Sequence, residues 1–593
     1  MSDLCVYLSL TLWDYIYLLK KRQHHKHFGF SIGEEPHRLS NKSKCEMSEG
    51  KGDSEPLIGV IDAGTRTIKF CVFRAKHTKE LAEHAVDINP IVPEEGWHEQ
   101  DPKEILDAIN TCIQNVTKSC NISDIVTIGV TNQRETTVVW DKTTGEPLHN
   151  AIVWNDIRTS STVDQILAKL PDNNKNHFKQ ICGLPVSPYF SAFKLKWLMD
   201  NVKNIRRAIK KGTCLFGTID TWIVWNLTGG VNGGIHITDV TNASRTFLMN
   251  IETLHWDPLL LHTFNVNAAI LPEIRNSSEV YGKVKGTVLD GIPISGILGN
   301  QQSALVGQNC FKEGQAKNTY RSGCFLLYNT GKTRVQSTHG LVTTVAYKFG
   351  DDKPTYALEG SVAIAGEALN WLRDNMGLIK NVQEDTESLA QEVFNTGDVY
   401  FVPAFKGLYA PYWRKDARGI ICGLTAYTTK KHIIRAALEA VCFQTRDILE
   451  AMNKDCGIPL SKLHVDGKLT TNNLLMQLQA DISGIPVFRS QSQDMTALGV
   501  AMAAGQAKGI DVWDLSAKDR EIVPSDTFLP TTTEDERNAR YNKWKMAVHR
   551  SLGWALGKKS AAMTDERYRL LSSVPAGLFL IGSFGMLVLS AYV

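Results

Sequence analysis

Residues 57–65 read Leu57-Ile58-Gly59-Val60-Ile61-Asp62-Ala63-Gly64-Thr65, a short apolar run that ends in an acidic, glycine-bearing turn. Residues 68–73 resume a strand-like pattern at once, so the two segments predict a β-hairpin with a tight turn. Backbone N–H groups in such a turn converge and can hold a phosphate, and the Asp62 carboxylate can hold Mg²⁺ through water. On its own, a hairpin of this kind predicts nucleotide binding only weakly.

Similar turns recur further along the chain. Residues 292–298 form a second apolar run that ends in Gly299-Asn300-Gln301-Gln302, and a strand resumes at Asn318. Residues 463–468 predict a third strand and turn, followed by a helix that begins near Asn472. Helical patterns separate these segments at 101–120, 190–203, 430–455 and 471–484. Alternation of this kind predicts two related α/β domains that close on a nucleotide.

The bulk composition is that of a folded protein with two globular domains and terminal extensions, as expected for 593 residues. Lys and Arg number 65 against 62 Asp and Glu, so the net charge of +3 gives no reason to expect a nucleic-acid partner. The 12 cysteines form no C-x-x-C pair and no zinc-site spacing, which indicates a reducing compartment.

The C-terminal segment 574–593 carries no charged side chain, and Arg567 and Arg569 precede it. As a helix it would span ~30 Å, about the thickness of a hydrocarbon core. We expect a tail anchor that leaves the body of the protein in the cytosol. A buried C-terminal helix is the weaker alternative, because no polar stripe interrupts the segment.

The N-terminal segment allows three interpretations. Residues 4–19 are apolar apart from one aspartate and precede Lys20-Lys21-Arg22, so they suit a short signal-anchor or an amphipathic surface helix. We favour the third interpretation, in which Met47 opens a polar lead before the first strand and residues 1–46 are a non-native or alternatively translated leader. Residues 1–56 are accordingly assigned to a non-conserved or disordered extension.

Two long gapped motifs carry a specific resemblance. Residues 189–201 and 419–439 fit, in the right order, the two signatures of the FGGY carbohydrate kinases. Within that family the chain resembles the vertebrate glycerol kinases, including their testis-type paralogues, over about residues 57–553. The stretches that carry this closer resemblance are 132–137, 216–222, 238–246 and 407–413.

The resemblance implies two actin/hexokinase-like (ribonuclease H-like) α/β domains around a cleft, with a C-terminal transmembrane helix. The domain boundaries are predicted at 57–303 for the polyol side and 304–553 for the nucleotide side. The implied reaction is ATP-dependent phosphorylation of glycerol to sn-glycerol 3-phosphate, with ATP and Mg²⁺ as cofactors. The implied location is the mitochondrial outer membrane with the catalytic domains facing the cytosol; a cytoplasmic fraction and a homo-oligomer stay open.

The polyol pocket carries over from the resemblance residue by residue. Arg134 and Glu135 match the pair that hydrogen-bonds the hydroxyls of the polyol. Glycerol has three hydroxyls and little apolar surface, so a site selects it by paired donors and acceptors. The other matching residues are Tyr189 as a third donor, Gln301 beside the catalytic base, and Trp154 and Phe325 as rings over the carbon skeleton.

The nucleotide side is where the chain departs from the family. Arg66 and Lys69 replace Ser and Arg, Arg321-Ser322 replaces Gly-Thr, and Lys468 replaces Gly. Where the family glycine has a conformation open only to Gly, we expect Arg321 to strain the loop and weaken nucleotide binding. The alternative is that the added positive charges hold phosphates. The expected nucleotide contacts are Gly64, Thr65, Arg66, Thr67, Lys69, Arg321, Ser322, Gly323, Gly467, Lys468 and Asn472, with Asp62 for the metal.

Asn300 stands at the catalytic position where family members carry the Asp that takes the proton from the attacking hydroxyl. An amide of similar shape can orient that hydroxyl but cannot act as its base, a role that contributes ~10²–10⁴-fold in rate. Phosphoryl transfer also rests on positioning and charge neutralisation. We therefore expect a glycerol kinase with weakened or lost catalysis; the alternative is a membrane-anchored pseudokinase that acts by binding or scaffolding. The unchanged polyol residues disfavour a kinase for another polyol.

Overall fold

The computed structural model describes residues 55–362, 364–492, 494–515 and 525–555. All of these described residues belong to one compact unit. Within these described ranges, no helix is both long and apolar enough to cross a membrane. The predicted leader at 1–46 and the predicted tail anchor at 574–593 lie outside the described residues.

The predicted hairpin is confirmed and lies in a six-stranded N-terminal sheet. Strands Leu57–Ala63 and Thr67–Arg74 pair antiparallel, which sets Asp62 opposite Lys69. Leu57–Ala63 also runs parallel to Ile125–Asn132, which in turn runs parallel to the strand before Asn300. The strand order across the sheet is Ser278–Lys283, Pro293–Gly299, Ile125–Asn132, Leu57–Ala63, Thr67–Arg74 and Glu80–Asp87.

A seven-stranded C-terminal sheet contains the second group of predicted strands. Ala316–Tyr320 pairs antiparallel with Cys324–Gly331, so Arg321, Ser322 and Gly323 form the turn between them. The same strand runs parallel to Leu463–Asp466. The order across the sheet is Val342–Tyr347, Thr355–Val362, Cys324–Gly331, Ala316–Tyr320, Leu463–Asp466, Val487–Ser490 and Ser525–Phe528.

The four predicted helices are confirmed within a few residues. They span Pro102–Val116, Ser191–Asn201, Lys430–Cys456 and Asn473–Ser483. Their ends have local causes: Asp101 caps the first through a hydrogen bond from the Lys103 amide, and Gly457, at φ 69°, ends the third. The remaining α-helices are Ser160–Leu167, Lys179–Cys182, Lys203–Lys211, Ile219–Leu227, Val240–Ala243, Pro258–Phe264, Asn300–Gly307, Gly366–Asp374, Val382–Gln391, Met495–Gly505 and Glu534–Arg550.

Shorter elements connect the sheets and helices, among them five 3₁₀ turns in the described part of the chain: Ile122–Asp124, Pro171–Asn173, Gly230–Asn232, Ala268–Ile270 and Lys468–Thr471. A 3₁₀ turn, Lys468–Thr471, follows the strand Leu463–Asp466. The two-stranded pairings join Glu99–Gln100 with Ala151–Ile152, Val138–Asp141 with Cys214–Gly217, Ile237–Asp239 with Glu273–Arg275, Met249–Asn250 with His255–Trp256, and Tyr400–Val402 with Ile420–Cys422.

The helix Met495–Gly505 joins the two halves of the chain. A Cβ atom at Gly499 would lie 1.8 Å from the Ser303 carbonyl oxygen, and one at Gly129 would lie 2.8 Å from the Val500 carbonyl oxygen. Only glycine permits such backbone approach, so this helix sits directly on the Asn300–Gly307 helix and on the N-terminal sheet. The arrangement fixes the residue just before the helix, Asp494, beside the hairpin that carries Asp62.

Candidate active site

Arg134 and Glu135 follow the strand Ile125–Asn132 and are 3% and 1% exposed. Arg134 donates from Nη1 and Nη2 to the two carboxylate oxygens of Glu359, at 2.6 and 2.8 Å. Its Nη1 also donates to Gln302 Oε1 at 3.1 Å. Glu135 has φ 59°, a backbone conformation that a non-glycine residue rarely adopts. Strain of this kind persists where surrounding contacts hold it, which is common at functional sites.

Arg245 joins these residues into one buried network. Its Nε donates to Glu135 Oε1 at 2.6 Å and its Nη2 to Glu359 Oε1 at 3.1 Å. Burial raises the pKa of Glu359, but Arg134 and Arg245 lower it further, to about 2. The network therefore holds two guanidinium groups and ionised Glu359. Nη1 of Arg245 is buried without a hydrogen-bond partner among the described residues, so one donor stays free.

Three aromatic rings lie beside this network. The Trp154 ring centroid is 5.7 Å from that of Tyr189 and 5.7 Å from that of Phe325. The Arg134 guanidinium lies 5.8 Å from the Phe325 centroid. Burial raises the pKa of the Tyr189 hydroxyl well above its usual value, so it stays a proton donor. The structure thus places the predicted polyol donors and rings together.

Asn300 is half-buried and is the first residue of the helix Asn300–Gly307. The Gly299 amide donates to Thr241 Oγ1 at 2.9 Å. A Cβ atom at Gly299 would lie 2.8 Å from Arg134 Cδ, so glycine here lets the arginine lie against the start of the helix. The predicted catalytic position and the predicted polyol-binding Arg134 are therefore adjacent.

Gln301 is buried and accepts a hydrogen bond from Lys317 Nζ at 2.5 Å. Lys317 also donates to Thr319 Oγ1 at 3.0 Å, and Thr319 donates to Asp466 Oδ1 at 2.6 Å. Burial lowers the pKa of Lys317 to about 7 and raises that of Asp466. This chain of contacts links the polyol side to the strand that leads into Gly467.

Asp62 lies on the nucleotide side and is 5% exposed. Its Oδ1 is buried without a hydrogen-bond partner among the described residues. Burial and the neighbouring Asp494 raise its pKa, while Arg321 and Lys69 lower it, with a net value of about 6. Lys69 forms an ion pair with Asp494, and Arg321 Nη2 lies 3.3 Å from Asp494 Oδ1. These four residues bring the first two predicted phosphate loops together around one pair of carboxylates, Asp62 and Asp494.

The first loop is closed by backbone contacts. The Gly64 amide donates to the Thr67 carbonyl at 3.1 Å, and a Cβ atom at Gly64 would lie 2.9 Å from that same oxygen. Thr65 Oγ1 accepts a hydrogen bond from Trp154 Nε1 at 2.9 Å, which ties this loop to the polyol rings. Thr67 Oγ1 points elsewhere and donates to Asp87 at 2.9 Å. Arg66 is exposed.

The expectation of strain at Arg321 is wrong. Neither Arg321 nor Lys468 has a positive φ, and Arg321 instead donates its amide to the Gly323 carbonyl at 2.9 Å within an ordinary turn. The carbonyl of Ser322 accepts from the Glu367 amide at 3.1 Å. The position that needs glycine is Gly467, where φ is 96° and a Cβ atom would lie 2.4 Å from the Tyr320 carbonyl oxygen.

The third loop borders a small cavity. Asn472 caps the helix Asn473–Ser483 by accepting from the Leu475 amide at 2.8 Å, and its Nδ2 donates to Thr386 Oγ1 at 3.3 Å. Lys468 is exposed at the rim of this cavity. The cavity wall otherwise combines apolar and amide side chains, among them Leu369, Val382, Gln383, Leu438 and Leu475.

A magnesium site fits only in part. The unpartnered oxygen of Asp62 suits a hard cation, but the described residues contain no group of three His, Cys, Asp or Glu side chains that could hold a metal. Mg²⁺ usually binds through one or two carboxylates together with substrate phosphates and water. Asp62 would therefore hold Mg²⁺ jointly with a nucleotide, and the ion would supply neutralisation of phosphate charge.

Family models match most of the described chain. The N-terminal domain of the FGGY family of carbohydrate kinases matches residues 57–307, and the C-terminal domain of that family matches residues 316–507. The chain belongs to the FGGY family of carbohydrate kinases. It is 49% identical over 518 residues to a glycerol kinase of Arabidopsis thaliana, which covers 84% of this chain and 98% of the relative. It is 50% identical over 504 residues to a glycerol kinase of Brucella anthropi, at 84% and 99% coverage.

Solved structures agree with this membership. The Plasmodium falciparum glycerol kinase solved with ADP superposes with a TM-score of 0.75 at 40% identity, covering 84% of this chain and 98% of that one. A ligand-bound xylulose kinase from Lactobacillus acidophilus, at 23% identity, superposes with a TM-score of 0.71 over 83% and 96% of the two chains. The predicted two-domain, actin-like kinase fold is therefore confirmed for this FGGY kinase.

Four residues of the site are not predictable from local sequence patterns. Arg245 lies inside the stretch 238–246 that carries the family resemblance, but nothing in that stretch sets it apart as a site residue. Glu359, Lys317 and Asp494 lie in strands or before a helix, where a single charged residue forms no local pattern. Their partners are far away in sequence: Glu359 and Arg134 are 225 residues apart.

Proposed function

We propose that this FGGY kinase binds glycerol and ATP and forms sn-glycerol 3-phosphate and ADP, at a rate lowered by Asn300. The observation that carries the proposal is the buried network of Arg134, Glu359, Arg245 and Glu135 with aromatic rings beside it. Relatives about half identical to this chain are named glycerol kinases, which supports the choice of glycerol.

Recognition follows from the arrangement of donors and rings. Arg134 is held by Glu359, and Glu135 is held by Arg245, so their orientation does not have to be acquired on binding. Hydroxyl groups meet fixed charged partners, and the rings of Trp154 and Phe325 cover the carbon atoms. An analogue that lacks one hydroxyl leaves a buried donor or acceptor short of one hydrogen bond, which discriminates against that analogue.

The chemical step needs one proton to leave the attacking hydroxyl as its oxygen bonds to the γ-phosphorus. The bond between the γ-phosphorus and the bridging oxygen breaks, and ADP departs with the electron pair. Asn300 can orient the hydroxyl but cannot accept its proton, so that proton must leave to a phosphate oxygen or to solvent. Because the transition state is loose and positioning dominates, slow turnover remains.

The nucleotide side supplies the remaining parts. The turns at Gly64 and Gly323 would hold phosphates, and Asp62 would hold Mg²⁺ jointly with them. The apolar side chains around the small cavity at Lys468 and Asn472 would contact an adenine ring once this cavity opens to admit it. The Plasmodium falciparum glycerol kinase that superposes on this chain was solved with ADP, which supports an adenine nucleotide as a ligand.

A second candidate function is binding without turnover. The observation that favours it is that Lys69 and Arg321 already contact the carboxylate of Asp494. A pseudokinase of this kind would retain glycerol and act as a membrane-bound scaffold.

Transfer of labelled γ-phosphate by the purified full-length chain tests the proposal. We expect glycerol phosphate to form slowly, and propane-1,2-diol, which lacks one hydroxyl, to be phosphorylated at least about tenfold less efficiently. Glycerol binding without label transfer would favour the pseudokinase. Absence of glycerol binding would contradict both candidates.

The location is a separate part of the proposal. We propose that residues 574–593 anchor the protein in the mitochondrial outer membrane with the kinase domains in the cytosol, because these residues are uncharged and follow Arg567 and Arg569. The full chain is then expected to resist carbonate extraction from mitochondria, and a chain without residues 574–593 is expected to be released. Retention of the shortened chain would contradict the anchor. Sedimentation of the detergent-solubilised protein tests whether the chain forms a homo-oligomer.

A further inference from the structure

Asp494 is the point at which two predicted nucleotide contacts meet. Lys69, on the first hairpin, forms an ion pair with it, and Arg321, in the second turn, places Nη2 3.3 Å from its Oδ1. Asp494 also caps the helix Met495–Gly505 by accepting from the Ala497 amide at 3.2 Å. Its side chain is only 18% exposed, and that of Lys69 only 12%. The carboxylate is therefore held from three sides.

The groups that hold the Asp494 carboxylate, a lysine, an arginine and a helix N-terminal amide, would also bind a phosphate. Anions bind at helix N-termini, where backbone amides are free, and charge-assisted hydrogen bonds from Lys and Arg are the strongest contacts a phosphate receives. In this chain a carboxylate of the protein itself receives both kinds of contact. Asp62 lies opposite Lys69 in the hairpin, and Lys69 forms the ion pair with Asp494.

The positive charges of Lys69 and Arg321 are already balanced by nearby carboxylates, so neither is left unpaired to bind a nucleotide. Lys69 also lies 3.8 Å from Glu80 and 3.2 Å from Glu83, on the neighbouring strand. Two cations thus face Asp494, Asp62 and these glutamates. A polyphosphate entering here would have to replace a carboxylate as the partner of Lys69 and Arg321, because like charges at short range repel it.

We propose that Asp494 is an internal competitor for nucleotide phosphates, and that ADP and ATP bind by displacing it from Lys69 and Arg321. The inference rests on the proposed function, which assigns these two loops to the nucleotide. It makes Asp494 a determinant of nucleotide affinity that acts on phosphate and leaves the polyol side untouched. The Asp494 carboxylate thereby lowers nucleotide occupancy without any change in glycerol recognition.

Calorimetric titration of the full-length chain with ADP, adenosine and glycerol tests this inference. Asp494→Asn removes the charge while keeping the shape and a good helix cap. Asp494→Ser is a second variant with a cap and no charge, in case the first does not fold. We expect ADP to bind about tenfold more tightly to the variant than to the parent, with adenosine and glycerol affinities unchanged.

The matched control is Asp257→Asn. Asp257 caps the helix Pro258–Phe264, accepts from the Leu259 amide at 2.9 Å and contacts neither nucleotide loop. Its substitution is expected to leave ADP affinity unchanged. Equal ADP affinity in the parent and the Asp494 variants, or an equal gain for adenosine, would overturn the inference. So would the absence of ADP binding throughout; glycerol binding in that case shows that the polyol part of the proposed function stands independently.

Discussion

The proposed polyol side and the proposed nucleotide side of the site use the same residue types, and their carboxylates have opposite pKa shifts. On the polyol side, Arg134 and Arg245 hold Glu359 so firmly that its pKa lies at about 2. On the nucleotide side, Asp62 keeps one buried oxygen without a partner among the described residues, and its pKa rises to about 6. The charge of Glu359 is compensated by two guanidinium groups, whereas Asp62 lacks such compensation for one of its oxygens.

This difference indicates which side of the site is sensitive to the charge of a ligand. On the polyol side the ion pairs of the buried network are formed within the chain itself, so the network presents fixed donors, including the free Nη1 of Arg245, to a neutral polyol. An unsatisfied carboxylate among cations and other carboxylates is sensitive to any new ion. The proposed function therefore makes glycerol recognition depend on preorganised contacts, and the inference about Asp494 makes nucleotide binding depend on rearranging existing ones.

Restoring the catalytic carboxylate gives the largest expected effect. Asn300→Asp is expected to raise glycerol phosphorylation by ~10²–10⁴-fold, because the new carboxylate accepts the hydroxyl proton. Steady-state turnover at saturating ATP and glycerol measures it. The matched variant Asn309→Asp creates a carboxylate shortly after the same helix and should leave turnover unchanged. A rate that Asn300→Asp does not change would place the limitation on the nucleotide side.

Breaking the polyol network is the next largest change. Arg134→Ala leaves Glu359 with one guanidinium fewer and is expected to lower the free energy of unfolding by about 3–5 kcal/mol and to abolish measurable glycerol binding. Urea denaturation and calorimetry measure the two effects. Arg414→Ala, which removes an exposed pair with Asp416, should cost about 0–1 kcal/mol. Similar losses in both variants would show that the buried network is not specially stabilising.

Neutralising Asp62 should stabilise the protein in a defined pH window. Its pKa of about 6 in the folded protein exceeds the ordinary value of 3.8, so the folded state binds the proton more tightly than the unfolded chain does. Stability is therefore lost as the pH rises from about 4 to 6. We expect Asp62→Asn to gain on the order of 1–3 kcal/mol at pH 7.5 and little near pH 4. Denaturation of both proteins at the two pH values measures the gain; a loss at pH 7.5 would contradict the account, and the exposed Asp351→Asn is the control.

The smallest effect is expected at Arg66, a predicted nucleotide contact whose side chain is exposed to solvent. Arg66 Nη2 lies 2.6 Å from Glu367 Oε2, with side chains 59% and 42% exposed. Because water and salt screen such pairs, Arg66→Ala should change the free energy of unfolding by less than about 0.5 kcal/mol. Thermal denaturation of Arg66→Ala and Glu367→Gln checks this. A loss above about 1 kcal/mol in both would make the pair part of the loop's architecture.

Local patterns predicted the elements but not the long-range pairings. The hairpin at Leu57 and the helix that begins at Asn473 follow from apolar runs, turn residues and caps, all of which act over a few residues. The roles of Arg134 and Tyr189 came from resemblance. Glu359 and Asp494 could not be found in this way, because their importance comes from packing against residues more than 100 positions away. The expectation of strain at Arg321 was wrong because strain depends on the backbone conformation of the turn, and Arg321 does not have a positive φ.

Glycerol titrated calorimetrically into the full-length parent and into Asn300→Asp tests the central claim most directly. The claim is that the polyol side is intact regardless of the residue at the catalytic position. It predicts saturable heat in both proteins, with dissociation constants that agree within about threefold. Glycerol binding that is absent from the parent, or that appears only in Asn300→Asp, would contradict it.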